Sequence, residues 1–115
     1  MRHSTHETSA MQECIEACTE CHAICVATMT HCLQEGGKHA EASHIGTLVD
    51  CAQICATSAD FMLRSSPHHS ATCRACAELC TACAESCETM PEDSVMQACA
   101  ETCRRCAELC REMAA

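Results

Sequence analysis

Cysteine recurs along this chain at intervals of three and four residues, and that spacing constrains the fold more than any other feature. The positions are Cys14, Cys18, Cys21, Cys25 and Cys32; then Cys51 and Cys55; then Cys73, Cys76, Cys80, Cys83 and Cys87; and last Cys99, Cys103, Cys106 and Cys110. Steps of three and four return to one face of an α-helix, whereas a strand would send such residues to both faces. A small disulfide scaffold would space its cysteines irregularly through loops. The spacing therefore predicts four helices, each carrying a thiol face.

Helix breakers fall between the four groups. Gly36-Gly37 closes the first helix. Ser66-Pro67 reads as an N-cap followed by proline at the first helical position, and Met90-Pro91-Glu92-Asp93 as a second such start, with acids suited to the helix dipole. Helices are expected near 9–35, 39–65, 67–88 and 91–113, after a flexible N-terminal segment 1–8, with 9–113 as one domain. Connections this short make neighbours antiparallel, so the expected fold is all-α: an up-down-up-down four-helix bundle with a Cys-lined core. A weak repeat, one copy per helix, supports this: Cys21-His-Ala-Ile-Cys25, Cys51-Ala-Gln-Ile-Cys55, Cys76-Ala-Glu-Leu-Cys80 and Cys106-Ala-Glu-Leu-Cys110. Ile24, Ile54, Leu79 and Leu109 take the same flanking position, where they would seal gaps between helices or meet another copy of the chain.

Composition excludes several classes. With 7 Lys+Arg against 16 Asp+Glu, a net charge of −9 and Phe61 as its one aromatic residue, the chain lacks the basic groove and stacking platform of a nucleic-acid binder. It contains no run of about 18 apolar residues to span a membrane. An apolar content of 48% argues against disorder, although much of it is Ala and Cys. The opening Met1-Arg2-His3-Ser4-Thr5-His6-Glu7 has no apolar stretch of an export signal, so a cytoplasmic location is expected. Thiols stay reduced there, which favours metal or redox chemistry over structural disulfides.

A single cysteine on an apolar helix face is more often a small hydrophobe than a ligand. Sixteen in register reverse that preference, because packing alone would favour Leu or Ile. Thiolates select Cu(I), Zn(II) or iron–sulfur clusters. Each Cys-x-x-x-Cys pair sets two sulfurs side by side on one helix, able to grip one ion: Cys14/Cys18, Cys21/Cys25, Cys51/Cys55, Cys76/Cys80, Cys83/Cys87, Cys99/Cys103 and Cys106/Cys110. Intervening steps of three link these pairs into a chain. One Cu(I) per thiolate leaves the core neutral, so capacity is expected on the order of one ion per cysteine. Zn(II) in separate four-thiolate sites would leave two negative charges at each, and such sites draw on loops and knuckles. Iron–sulfur runs are loop-based and often end in Cys-Pro.

The stripes continue beyond the cysteines. Met11, Met62, His69 and Met113 are expected at one end of the bundle, and His31, Cys32, His39, His44, Met90 and Met96 at the other. His31, His39, His44 and His69, with Met11 and Met62, are candidate mouth ligands that would hand an ion to sulfur. His3, His6 and His22 are expected to face solvent.

Repeated Cys-x-x-x-Cys pairs within a four-helix bundle almost devoid of aromatics resemble the bacterial copper storage proteins, over roughly residues 9–113. Without a leader, the chain is similar to the cytosolic branch of that family. The resemblance implies a homotetramer of bundles, each holding many Cu(I) ions on the cysteine pairs, with Cys32 and Cys73 completing the chain of ligands and histidine at the mouth. Helix two departs from the fullest pattern, with Leu48, Ser58 and Met62 where further thiols would stand, which puts the stoichiometry in question. No catalysis is needed for this role. A copper chaperone or a copper-requiring apo-enzyme would be the partner in exchange. Two other functions fit cysteine-rich helices: a thiol–disulfide redox protein, which requires a thiol exposed at a helix N-terminus, and storage of another soft metal such as Zn(II) or iron–sulfur.

Overall fold

The computed structural model describes residues 5–115, with side chains from Ser9 onward. Its elements are α1 (Thr5–Glu35), a short 3-10 helix (Gly37–Ala40), α2 (Ala42–Leu63), α3 (His69–Glu88) and α4 (Ser94–Ala114). Residues 1–4, which include His3 and half of the segment expected to be flexible, lie outside the described residues; α1 already runs from Thr5.

The four helices close into a ring, α1 against α2, α2 against α3, α3 against α4 and α4 against α1, in a rod of 53 × 20 × 20 Å. Among the described residues, diagonal helices make no backbone approach. Thiols meet across the diagonal, as where Cys21 of α1 lies 4.0 Å from Cys80 of α3 and Cys51 of α2 lies 4.0 Å from Cys103 of α4. Alanine makes the close ring possible. Ala52, Ala77, Ala84, Ala100 and Ala107 each follow a core cysteine and are buried, so neighbouring backbones approach without large side chains between them. Ile24, Ile54 and Leu109 pack half-buried against this core, and Leu79 is likewise half-buried.

The helix ends explain where the sequence-based bounds shift. Gly36 (φ 74°) and Gly37 (φ 55°) turn the chain out of α1 through the left-handed region, with the Gly36 N–H on the Cys32 carbonyl at 3.1 Å. The chain then winds into the 3-10 helix, so α2 starts at Ala42 and not at residue 39. α2 ends in a Schellman turn: Ser66 N–H reaches the Phe61 carbonyl at 2.9 Å and Ser65 N–H the Met62 carbonyl at 3.0 Å, with Ser65 at φ 58°. Ser66 does not cap α3 directly. Its hydroxyl accepts from the His68 N–H at 3.1 Å, forming a turn that delays the helix to His69. For α4 the cap is Asp93, whose Oδ1 accepts from Val95 N–H at 2.9 Å and Met96 N–H at 3.3 Å, so Pro91 and Glu92 stay in the preceding turn.

Candidate metal centre

Every cysteine points inward. All 16 have zero exposure, and all are free thiols. The three-four spacing puts them on the one stripe of each helix that faces the axis, and the ring of four helices turns the stripes into a sulfur-lined tube.

The closest sulfur contacts run between helices. Cys14 and Cys18 of α1 lie 3.6 and 3.5 Å from Cys110 of α4. Cys51 and Cys55 of α2 each lie 3.5 Å from Cys80 of α3. Cys103 lies 3.7 Å from Cys21 and 3.8 Å from Cys25. Within one helix, Cys76 and Cys80 approach to 3.7 Å. The same-helix pairs Cys21/Cys25, Cys99/Cys103 and Cys106/Cys110 come within 4.8 Å as members of larger groups. With a metal–sulfur bond of ~2.3 Å, sulfurs stand about 3.8 Å apart around a tetrahedral ion, about 4.0 Å around a trigonal one and about 4.6 Å across a linear one. These contacts, the same-helix pair Cys76/Cys80 included, thus suit bent and trigonal sites, and the 4.8 Å reach of the groups also admits linear ones.

These groups overlap. Cys14, Cys73 and Cys110 form one; Cys18, Cys76, Cys106 and Cys110 the next; then Cys21, Cys55, Cys80 and Cys106; then Cys21, Cys25, Cys51 and Cys103; then Cys25, Cys83, Cys99 and Cys103. Each shares at least one sulfur with the next. Independent four-thiolate sites cannot all fill at once, because one sulfur would serve two ions and each site would keep two negative charges in a buried core. Bridging thiolates shared among monovalent ions meet neither obstacle.

Thiol acidity follows the same network. Hydrogen bonds from Cys110 and Cys14, opposed by burial, hold Cys73 down to about 3, with the Ser58 hydroxyl 3.3 Å away adding to the effect. Bonds from Cys106 and Cys110 likewise hold Cys76 down to about 3. Cys110 is driven the other way, pushed up through its bonds to Cys106 and Cys14, and Cys103 is raised through those to Cys21 and Cys25, while Cys106 is lowered, first by Cys110. Cys87 is raised by its bonds to Cys83 and Cys99. Bound cations would displace the protons shared along this network.

At one end the stripe changes character. Cys32 Sγ sits 3.3 Å from His44 Nε2 and 3.5 Å from Met96 Sδ, and all three side chains are buried. His44 Nδ1 is fixed by Ser86 Oγ at 2.6 Å. Burial, and then the nearby Asp93 carboxylate, push Cys32 up to about 11. Burial lowers His44 from its ordinary value, with His39 adding to the shift. Leu48 and Thr28 are buried on the same stripes, and Thr28 Oγ1 has no hydrogen-bond partner. His31 and His39 lie further out, their Nε2 atoms 2.8 and 2.9 Å from Asp93 Oδ2. At the opposite end Met62 Sδ lies 3.8 Å from Cys73 Sγ, while Met11 and Met113 pack half-buried on the core. His69 there bonds the Ser66 carbonyl at 3.0 Å through Nδ1. His22, expected to face solvent, is half-buried, with Nδ1 2.8 Å from the Ala52 carbonyl. His68 is exposed, and the side chain of His6 lies outside the described residues. Asp93 and Ser86 were missed as partners of the histidines. Asp93 sits where an acid serves a helix start, and nothing in its local pattern announces two imidazoles from elsewhere.

Comparison with known proteins adds to this geometry. Residues 7–115 match the profile of the copper storage protein family. A crystal structure of a protein from Nitrosospira multiformis is 46% identical, with a TM-score of 0.87 over 93% of this chain and 96% of that one. The Cu(I)-bound copper storage protein BsCsp3 of Bacillus subtilis is 39% identical, with a TM-score of 0.86 over 92% of this chain and 99% of its own. A cytosolic copper storage protein of Streptomyces lividans, with five coppers loaded, is 30% identical, with a TM-score of 0.83 over 96% of this chain and 97% of that one.

Proposed function

The chain belongs to the copper storage protein family, and on that premise we propose that it takes up and holds many Cu(I) ions on its core thiolates, for detoxification or for supply to copper enzymes. The observation that carries this is the continuous overlap of sulfur groups, each within 4.8 Å, along a tube whose 16 thiols have no access to water. One Cu(I) per thiolate neutralises that tube, which sets capacity at about 16 ions.

The ligands in this reading are all 16 cysteines. Cys32, His44 and Met96 would receive an ion at one mouth, with His31 and His39 outside them; Met62, Met11 and His69 would serve the other. Each ion bound releases a thiol proton and passes inward by exchange between neighbouring sulfurs. Thiol–disulfide catalysis is disfavoured by the placement of the cysteines, which lie along helix interiors with no sulfur exposed to a substrate. We assign the protein no catalytic step. A reducing, cytosolic setting is supported by the free thiols and by the cytosolic relative from Streptomyces lividans; among the described residues no helix is long and apolar enough to cross a membrane. Assembly into tetramers and exchange with a chaperone or apo-enzyme belong to the same proposal.

The test is an anaerobic titration of the reduced protein with Cu(I) in competition with Zn(II), with bound metal counted per chain. Filling with Cu(I) to about one per cysteine is expected. A preference for Zn(II), saturating at a few ions, would overturn the proposal.

A further inference from the structure

Outside the thiol tube, three groups from distant parts of the chain converge: His31 near the end of α1, His39 in the 3-10 helix and Asp93 at the start of α4. Both imidazole Nε2 atoms address the same carboxylate oxygen, Asp93 Oδ2, at 2.8 and 2.9 Å. The other oxygen, Oδ1, is engaged by the α4 backbone, so the carboxylate is oriented by the helix cap and presents Oδ2 outward. The three side chains are 17–26% exposed. They line an open cleft of about 610 Å³ that also carries Glu35, Glu92 and Lys38, whose Nζ donates to the Thr89 carbonyl at 3.3 Å.

Two imidazoles and a carboxylate form a donor set of a different class from the sulfur core. Soft Cu(I) favours thiolate and thioether, whereas nitrogen and oxygen together suit borderline divalent ions. We propose that His31, His39 and Asp93 form a second metal site, which binds one divalent cation of the Zn(II) class in a His2Asp arrangement completed by water. Around a tetrahedral ion with bonds of ~2.1 Å these ligand atoms stand about 3.4 Å apart, so the present cluster opens by roughly half an ångström. Each imidazole moves its proton from Nε2 to Nδ1 as it binds. A bound ion joins α1, the 3-10 helix and α4 directly outside Cys32 and Met96.

The proposal does not depend on the storage reading, and the two can fail separately. The probe is Co(II), added anaerobically to protein whose core has first been filled with Cu(I); the copper count at that stage reads storage on its own. Binding of one Co(II) per chain is expected, with d–d bands of a four-coordinate ion and no sulfur-to-cobalt charge-transfer band. That band tells nitrogen–oxygen from sulfur ligation even in a chain that takes up no copper. H39A should weaken Co(II) at least tenfold. D93N, which keeps an N-cap residue, should do the same without loss of helicity. Failure to bind Co(II), a charge-transfer band, or equal affinity in H39A would overturn the site.

Discussion

Helix α2 supplies two thiols where α3 supplies five, and its stripe continues through Leu48 and Ser58, both fully buried. If the tube is a vessel whose capacity is set by charge neutrality, a thiol placed at either position should add one Cu(I). Ser58→Cys is the cleaner case. The hydroxyl already lies 3.3 Å from Cys73 Sγ, so the new sulfur joins the group at that end, and capacity should rise from about 16 to about 17 ions. The substitution enlarges one atom in a packed core, which costs about 1 kcal/mol of apo stability. Leu48→Cys should add the same one ion at a different cost. Three carbons give way to one sulfur at a fully buried site, a net loss of two heavy atoms that removes about 1.6 kcal/mol of transfer energy; with the residual cavity, apo stability falls by about 2–3 kcal/mol. Ser58→Ala adds no thiol and should leave capacity unchanged. The assays are anaerobic metal counting against total thiol measured in denaturant, and urea unfolding of each reduced apo protein. If both added thiols titrate in denaturant but neither raises the copper count, capacity is not governed by thiolate charge within the tube.

The remaining predictions concern the metal-free bundle. Because its helices carry continuous buried stripes and caps, reduced apo protein should show a strongly helical circular dichroism spectrum that copper barely changes; a coil spectrum would mean that metal organises the fold. Ser65 holds φ 58° at the end of α2, so Ser65→Gly should stabilise the protein by about 1 kcal/mol in urea unfolding. Apo stability should fall on acidification in two stages. His44 is lowered from 6.5, first by burial and then by His39, so the unfolded chain takes its proton more readily; that contribution is complete above about 6.5 and is lost below it. Asp93 is held well below the usual carboxylate range, first by His31 and, against desolvation, by His39, and its contribution disappears only as the pH drops below about 4. Melting temperatures between about pH 8 and 2 check this, and His44→Gln should remove the upper stage.

The helical architecture was legible because one residue type marks the inward face. Cysteine at steps of three and four leaves no second way to bury sixteen thiols, and the structure buries all of them. Helix ends were less legible, since several local solutions compete after a glycine or before a proline. Gly36-Gly37 leads into a 3-10 helix before α2, and Ser66 bonds His68 where a direct cap on α3 was expected. Sulfur pairing was legible only in part. Spacing identifies the same-helix pairs, but most of the closest contacts depend on how far each helix slides along its neighbour, which sequence spacing does not encode. Asp93 shows the same limit. Its role as helix cap is local, and its bonds to His31 and His39 depend on how α1 and the 3-10 helix are placed against the start of α4.

The copper account is tested most directly by crystals of the fully loaded, reduced protein measured across the copper absorption edge. The anomalous map should show a string of copper peaks along the bundle axis, each within bonding distance of two or more of the sixteen sulfurs. Copper confined to the outer surface, or core cysteines joined in disulfides beside an empty tube, would contradict it.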